Sequence, residues 1–298
     1  MSISAYEFNF GEPHLVLVVG RGLIGFEIAF QAKVFCSRTI SVATTNTDWN
    51  NPAELKHTLS CLVEHGGYST VDLVWAAGKG GFSASDAEME NEYNYYKDVV
   101  VSLLELPDVE LRVSLISSAG GIYEHSGFVS ALGQINYDRP YARWKLEQER
   151  LVLERSAVAR VYRAASVYGL GLRGSRVGLI NRMVMSAIAG STVEIYALQN
   201  TLRDYIFNGD IARHVVGDIV ANTQSGVQLL ASGRPTSIDT LKNIVSKVTN
   251  RRLKLVYVPS AGNDKDILFA PQLTALRYQA TSLEEGVRLL AANIGVAH

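Results

Sequence analysis

The run Leu15-Val16-Leu17-Val18-Val19 passes without a break into Gly20-Arg21-Gly22-Leu23-Ile24-Gly25, and a helical pattern through Phe26, Ile28, Ala29 and Val34 follows. A continuous apolar run reads as a strand covered on both faces, a central strand of a parallel sheet. The glycines permit a tight turn, close backbone approach to a ligand and close packing of helix on strand. The helix amino terminus then offers its free N–H groups to an anion. G-x-G-x-x-G alone is a weak signal, but between a strand and a helix it is a strong one. A chain that opens this way is committed to an open α/β sheet.

The remaining pattern agrees. Strands at 40–43, 71–76, 113–116 and 158–162 alternate with helices at 52–64, 85–106 and 140–155, as a doubly wound parallel (Rossmann) sheet requires. Beyond about residue 170 the pattern loosens into a helix (177–189), a short strand (193–196), a second helix (210–222) and later helix–strand–helix pieces. We therefore expect a dinucleotide-binding domain over 1–169 and a smaller mixed α/β substrate lobe over 170–298, with residues 203–225 packing back on the first. A chain of 298 residues, 47% hydrophobic, can bury a core of that size.

A net charge of −1 gives no electrostatic footprint for nucleic acid or an anionic membrane. No apolar stretch reaches transmembrane length, and the first residues lack a charged segment followed by an apolar core. Cys36 and Cys61 fall in expected helices without metal-ligand spacing and read as buried thiols of a reducing cytoplasm. The six histidines form no His-x-x-x-His or Cys–His cluster, so no metal is expected.

Val113-Ser114-Leu115-Ile116 leads into Ser117-Ser118, and Pro140-Tyr141-Ala142-Arg143-Trp144-Lys145 follows later. Ligands of open α/β sheets lie beyond the carboxyl ends of strands, so the serines should face a site. Pro140 suits a helix start, and Tyr141 and Lys145 then project from one helical face. A hydroxyl, a phenol and an ammonium converging on one cleft suit proton transfer coupled to hydride transfer. Tyr93 and Lys97 repeat the spacing, but upstream of the serine strand, and read as an exposed helix face.

The second strand ends in Thr44-Thr45-Asn46 without the carboxylate that would bind an NAD ribose, while Arg21 inside the loop could pair with the extra phosphate of NADP. NADP(H) is favoured, with NAD possible; Asp48 is the nearest acid. Ala76-Ala77-Gly78-Lys79-Gly80-Gly81 would let a cofactor lie against backbone.

With these residues in view, the chain resembles the extended short-chain dehydrogenase/reductase family, in its nucleotide-sugar (epimerase/dehydratase) branch. The resemblance rests on the glycine loop, Ala76-Ala77-Gly78, Ser117-Ser118 through Tyr123, Pro140-Tyr141 to Lys145, and Arg163 to Gly169. Leu202-Arg203-Asp204-Tyr205 through Arg213 and a closing Thr281-Ser282-Leu283-Glu284-Glu285-Gly286 extend it. It implies Ser118, Tyr141 and Lys145 as catalytic residues. Gly20, Arg21, Gly22, Leu23, Ile24, Gly25, Thr44, Asp48, Trp49, Ala76, Ala77, Gly78 and Ala165 would meet the cofactor, together with Tyr141 and Lys145. Arg203 and Tyr205 would meet the substrate, Arg203 on a diphosphate and Tyr205 on a base or sugar, unless they form a lobe-packing pair; Lys79 and Tyr123 join them by position alone. A homodimer through helices 85–106 and 140–155 is also implied, unless those helices serve only as core.

Three departures stand out: Val19 replaces the family's first loop glycine, Ala119 the frequent catalytic hydroxyl, and Ala164 the proline after Arg163. Ser118 is therefore chosen with Ser117 as the alternative. The Asp-Glu pair of sugar-nucleotide 4,6-dehydratases is absent at Ala119-Gly120, so dehydration is disfavoured. Arg21 to Gly25 is similar to the loop of GDP-fucose synthases, and Asp48-Trp49-Asn50-Asn51-Pro52 to a segment of dTDP-4-dehydrorhamnose reductases. The reading is a nucleotide-sugar reductase; an epimerase and a non-catalytic NADP(H)-sensing protein remain the alternatives.

Overall fold

The computed structural model describes residues 1–44, 49, 51–171, 178–258 and 265–296. The chain opens with a hairpin of β1 (Ser2–Asn9) and β2 (Pro13–Val19), whose connection places Gly11 at φ +102°. α1 (Leu23–Phe35), β3 (Arg38–Thr44), α2 (Ala53–Gly66), β4 (Thr70–Trp75), α3 (Asp86–Leu104) and β5 (Glu110–Ser118) follow. Next come the single turn α4 (Ala119–Ile122), β6 (Gly127–Val129), α5 (Pro140–Arg155), β7 (Val158–Ala164) and β8 (Ser166–Tyr168). The carboxyl part contains α6 (Leu179–Ala189), β9 (Thr192–Ile195), β10 (Leu202–Phe207), α7 (Asn208–Val220) and β11 (Gly226–Leu230). It continues with β12 (Pro235–Ser237), α8 (Ile238–Thr249), β13 (Lys254–Tyr257), β14 (Ile267–Phe269) and α9 (Leu283–Val296).

Seven strands form the main sheet in the order β11-β7-β5-β4-β2-β1-β3. All run parallel except β1, which lies antiparallel between β2 and β3. The sequence pattern marks no strand over residues 2–9. Their polar and apolar residues alternate, yet Ser4 is as buried as Ile3 and Ala5, because this strand is covered on both faces. A smaller sheet runs β12-β10-β14-β6, with β8 against β10, and β9 pairs with β13. Its members come from both halves of the sequence: β6 and β8 precede residue 170, whereas α7 and β11 belong with the main sheet.

Two apolar layers sandwich that sheet. One holds Val16, Val18, Ile28, Val74, Ile116 and the α7 face, the other Leu15, Leu17, Trp75, Tyr96, Val99 and Val161. A third cluster joins α6, α8 and α9 around Tyr168, Met183, Leu241 and Leu290. At the amino-terminal ends of the strands, Asp72 is fully buried between His14 (2.6 Å) and Arg160 (2.7 Å).

Glu27 of α1 is also buried, near Gly209 at the start of α7, and desolvation raises its carboxyl above the ordinary value of 4.5, partly offset by Gln31. A raised carboxyl favours the neutral form in the fold. Its stability contribution is therefore complete below pH 4.5 and is lost as pH rises through the raised value. Glu27→Gln is expected to raise the melting temperature at pH 8 and leave it nearly unchanged at pH 4. Equal shifts at both pH values would exclude this origin.

Candidate active site

The carboxyl ends of β2, β4 and β5 lie side by side at one edge of the parallel sheet. Gly20 turns the chain at φ +101°, and a Cβ there would lie 2.7 Å from Ala77 N and 2.8 Å from Ala76 O. A Cβ on Gly25 would collide with Gly20 O. Gly22 faces open space as the N-cap of α1, with no side-chain cap and no acidic residue in the first turn. The loop therefore has a tight turn, a close helix contact and an uncapped helix terminus open to an anion, which fits a dinucleotide pyrophosphate. Val19 in place of the family's glycine is accommodated because Gly20 makes the turn.

Ala76 and Ala77 pack directly on this loop, and Ala76 N donates to Val19 O (2.9 Å). Ile24 is half-buried against the core, and Leu23 O accepts from Asn208 Nδ2 (2.7 Å). Arg21 is half-buried, with its guanidinium 5.8 Å from the Phe26 ring centroid and its Nε without a hydrogen-bond partner among the described residues. Trp49, expected at the cofactor, instead packs on Tyr95 of α3 (5.0 Å) and joins the core edge. The Thr44 side chain and Asp48 lie outside the described residues.

The ring of Tyr141 rests against Gly121, where a Cβ would be 2.9 Å away, and meets the Phe82 ring edge-on at 5.3 Å. Lys145, one turn along α5, holds its ammonium 5.9 Å from the Tyr141 ring centroid. That ammonium is buried, donates to Gln148 Oε1 (3.0 Å) and pairs with Glu92 Oε1 (3.6 Å). Glu92 Oε2 accepts the backbone N–H groups of Lys79 and Gly80, each at 2.7 Å, which ties the loop after β4 to the same cluster. Gly78 lies so close to Glu92 that a Cβ would approach Oε1 to 3.1 Å.

Ser118 is half-buried and caps α4 by accepting from Gly121 N (3.3 Å). Ser117, the alternative hydroxyl, is withdrawn into the interior, where it donates to Glu149 Oε1 (2.5 Å). Glu149 also binds Arg163 (2.7 Å), and Arg163 donates to the Tyr123 hydroxyl (2.6 Å).

Several expectations for the substrate residues are corrected. Tyr123, expected at the substrate, is fully buried, donates to Leu132 O (2.8 Å) and packs on Phe269. Tyr205 sits in the carboxyl-terminal core, where burial drives its phenol well above the ordinary value. Arg203, two residues earlier on β10, lines a cavity and donates to Leu202 O (3.0 Å) and to Lys265 O. Other residues of that motif tie the fold together. Asp204 accepts from Ser232 N and Arg234 N, and Asn208 bonds Leu170 O as well as Leu23 O. Asp210 accepts from Thr281 N (2.8 Å). Lys79 is exposed, and Ala165 lines the Arg203 cavity rather than the glycine loop.

That cavity, of ≈70 Å³, is walled by Phe82, Gly120, Glu124, Arg203, Asp204 and Phe269 among others. Neither Glu92 nor Glu124 was singled out from sequence, since their ionic partners Lys145 and Arg139 lie far along the chain. A larger cavity of ≈630 Å³ between β3 and α2 holds none of the expected site residues. It corrects the histidine reading. His57, Cys61 and His65 face it at one-turn intervals, with Cys61 Sγ 3.7 Å from the His57 ring and only half-buried. No group of three metal-capable side chains is found among the described residues.

Fold and crevice define a Rossmann enzyme of the extended short-chain dehydrogenase/reductase type, dependent on a nicotinamide cofactor. A family model, "NAD dependent epimerase/dehydratase family", matches residues 37–225, more than half the chain. The chain belongs to that family. No curated protein matches it in sequence. Among solved structures it is similar to MoeE5 in complex with UDP-glucose and NAD (22% identity, TM-score 0.75, covering 93% of this chain and 97% of that one). It is also similar to UDP-glucose 4-epimerase of Thermotoga maritima with UDP-glucose (20%, 0.67, 85% and 84%). A third is Thermus thermophilus UDP-glucose 4-epimerase with NAD (15%, 0.71, 93% and 97%). At these identities the likeness establishes the fold. No helix among the described residues is long and apolar enough to cross a membrane.

Proposed function

We propose that the chain transfers hydride between NADP(H) and a carbon of a nucleotide-linked sugar, as a reductase, with Tyr141 moving the proton. The observation that carries this reading is the seat of Tyr141. Its ring lies on Gly121 and against Phe82, one turn from a buried ammonium and beside a cavity walled by charged groups.

Gly20 to Gly25 would hold the pyrophosphate on the first turn of α1, and Ala76 to Gly78 would lie along the dinucleotide. When bound, the nicotinamide supplies or accepts the hydride. Tyr141 gives its proton to the oxygen that gains charge on reduction and takes it back in reverse. The Lys145 ammonium lies where it offsets the charge left on the phenol. Ser118 Oγ accepts from Gly121 N, which leaves its O–H available to donate to the same substrate oxygen. Arg203 faces the diphosphate. The outer faces of α3 and α5, with Leu153 exposed on α5, would join two copies in a homodimer.

An epimerase is the second reading, favoured because two of the similar structures are UDP-glucose 4-epimerases that share this fold. Cofactor turnover separates the two. A reductase is expected to consume NADPH stoichiometrically with a keto-sugar nucleotide. Tightly retained NAD, with interconversion of UDP-hexoses and no net consumption, would sink the reductase reading. For the cofactor itself, Arg21→Ala is expected to weaken NADPH by ~10-fold or more and NADH by less than ~2-fold in fluorescence titrations. Equal losses would remove the phosphate-pairing role.

A further inference from the structure

Glu124 stands in the wall of the cavity beside Tyr141, and only one of its oxygens is engaged. Oε1 pairs with Arg139 Nε at 2.6 Å. Oε2 is shut off from solvent and has no hydrogen-bond partner among the described residues, although the residue is only 6% exposed. A buried carboxylate oxygen without a donor is costly, and the cost is relieved when a ligand brings one. Asp204, the other carboxylate of the wall, is already satisfied by Ser232 and Arg234. Phe82 links the cavity to the phenol, since it lines the one and touches the ring of the other. Gly120, also in the wall, directly precedes the glycine on which that ring rests.

We infer that Glu124 Oε2 accepts a hydrogen bond from a ring hydroxyl of the substrate sugar and so selects which sugar the site takes. This rests on the nucleotide-sugar reading above. Arg139 already balances the Glu124 charge, so a neutral donor suits the vacant oxygen, whereas a sugar carboxylate would meet like charge. At ≈70 Å³ the cavity admits two or three water-sized groups, the hydroxyl-bearing edge of a ring rather than the whole of it.

The test uses the full chain, saturated with cofactor, as wild type, Glu124→Gln and Glu124→Ala. Each is titrated calorimetrically with UDP-, dTDP-, GDP- and ADP-glucose and with the matching nucleoside diphosphates. The Ala variant is expected to lose ~10- to 100-fold in affinity for the glucose-linked probe and less than ~2-fold for the diphosphate. Gln, which keeps an acceptor oxygen, should retain part of that affinity. With singly deoxygenated glucose probes, the hydroxyl whose removal weakens the wild type should cost the Ala variant nothing. Melting temperature and cofactor affinity serve as checks of folding. Unchanged glucose binding in both variants, or equal losses for sugar and diphosphate, overturns the inference and leaves the parent reading intact. A wild type that binds none of the probes overturns both.

Discussion

Replacing Tyr141 by phenylalanine should cut turnover by ~10²-fold or more while cofactor affinity stays within ~2-fold. The substitution removes one hydroxyl and leaves the ring contacts with Gly121 and Phe82 in place, so the crevice keeps its shape. What is lost is the group that moves a proton as hydride moves. Stopped-flow measurement of the hydride step would locate the defect in chemistry rather than binding. A Phe variant with wild-type turnover on any accepted substrate would remove Tyr141 from the reaction. Loss of cofactor affinity in step with turnover would show a structural role instead.

Asp72→Ala is expected to destabilise the protein by about 3–5 kcal/mol. Asp72 and Arg160 are both fully buried, and the pair spans the sheet from β4 to β7 across β5. Arg160 has further bonds to Thr223 O (3.1 Å) and Asn222 Oδ1 (3.4 Å), but these acceptors carry no countercharge. Removing Asp72 therefore leaves a guanidinium in the core without its anion and His14 without its acceptor. Replacing Asp72 and Arg160 together by Leu and Met should recover most of the loss, because an apolar pair has no charge to strand. Chemical denaturation reads both variants. A loss below ~1 kcal/mol for Asp72→Ala would mean that the interior is wetter than its burial implies.

The parts of the fold legible in sequence are those whose pattern is imposed by burial on both faces. β2, β4, β5 and β7 are central, so each keeps a run of buried apolar residues even where Asp72 or Arg160 interrupts it. β1 is equally buried but carries Ser4 and Glu7, and a strand that alternates gives no sign of lying inside a parallel sheet. The three-residue strands β6, β8, β12 and β14 are too short for any period to register. At the site, Tyr141 and Lys145 are readable because helical spacing alone puts them on one face. Ser117 and Ser118 are adjacent, and only the fold shows that Glu149 claims the first. Glu92, Glu124 and Asp72 were invisible for a common reason: each acquires its chemistry from a partner on another element.

The inserted strand also governs how this protein should be handled at the bench. Because β1 runs against its neighbours, Ser2 emerges at the carboxyl end of β2, and Gly20 N donates to Ser2 O at 2.9 Å. Any peptide fused ahead of Ser2 thus starts at the rim of the glycine loop. If the glycine loop holds the dinucleotide as proposed, an affinity tag there would compete with it for space, so assays of cofactor preference belong on protein tagged elsewhere or not at all.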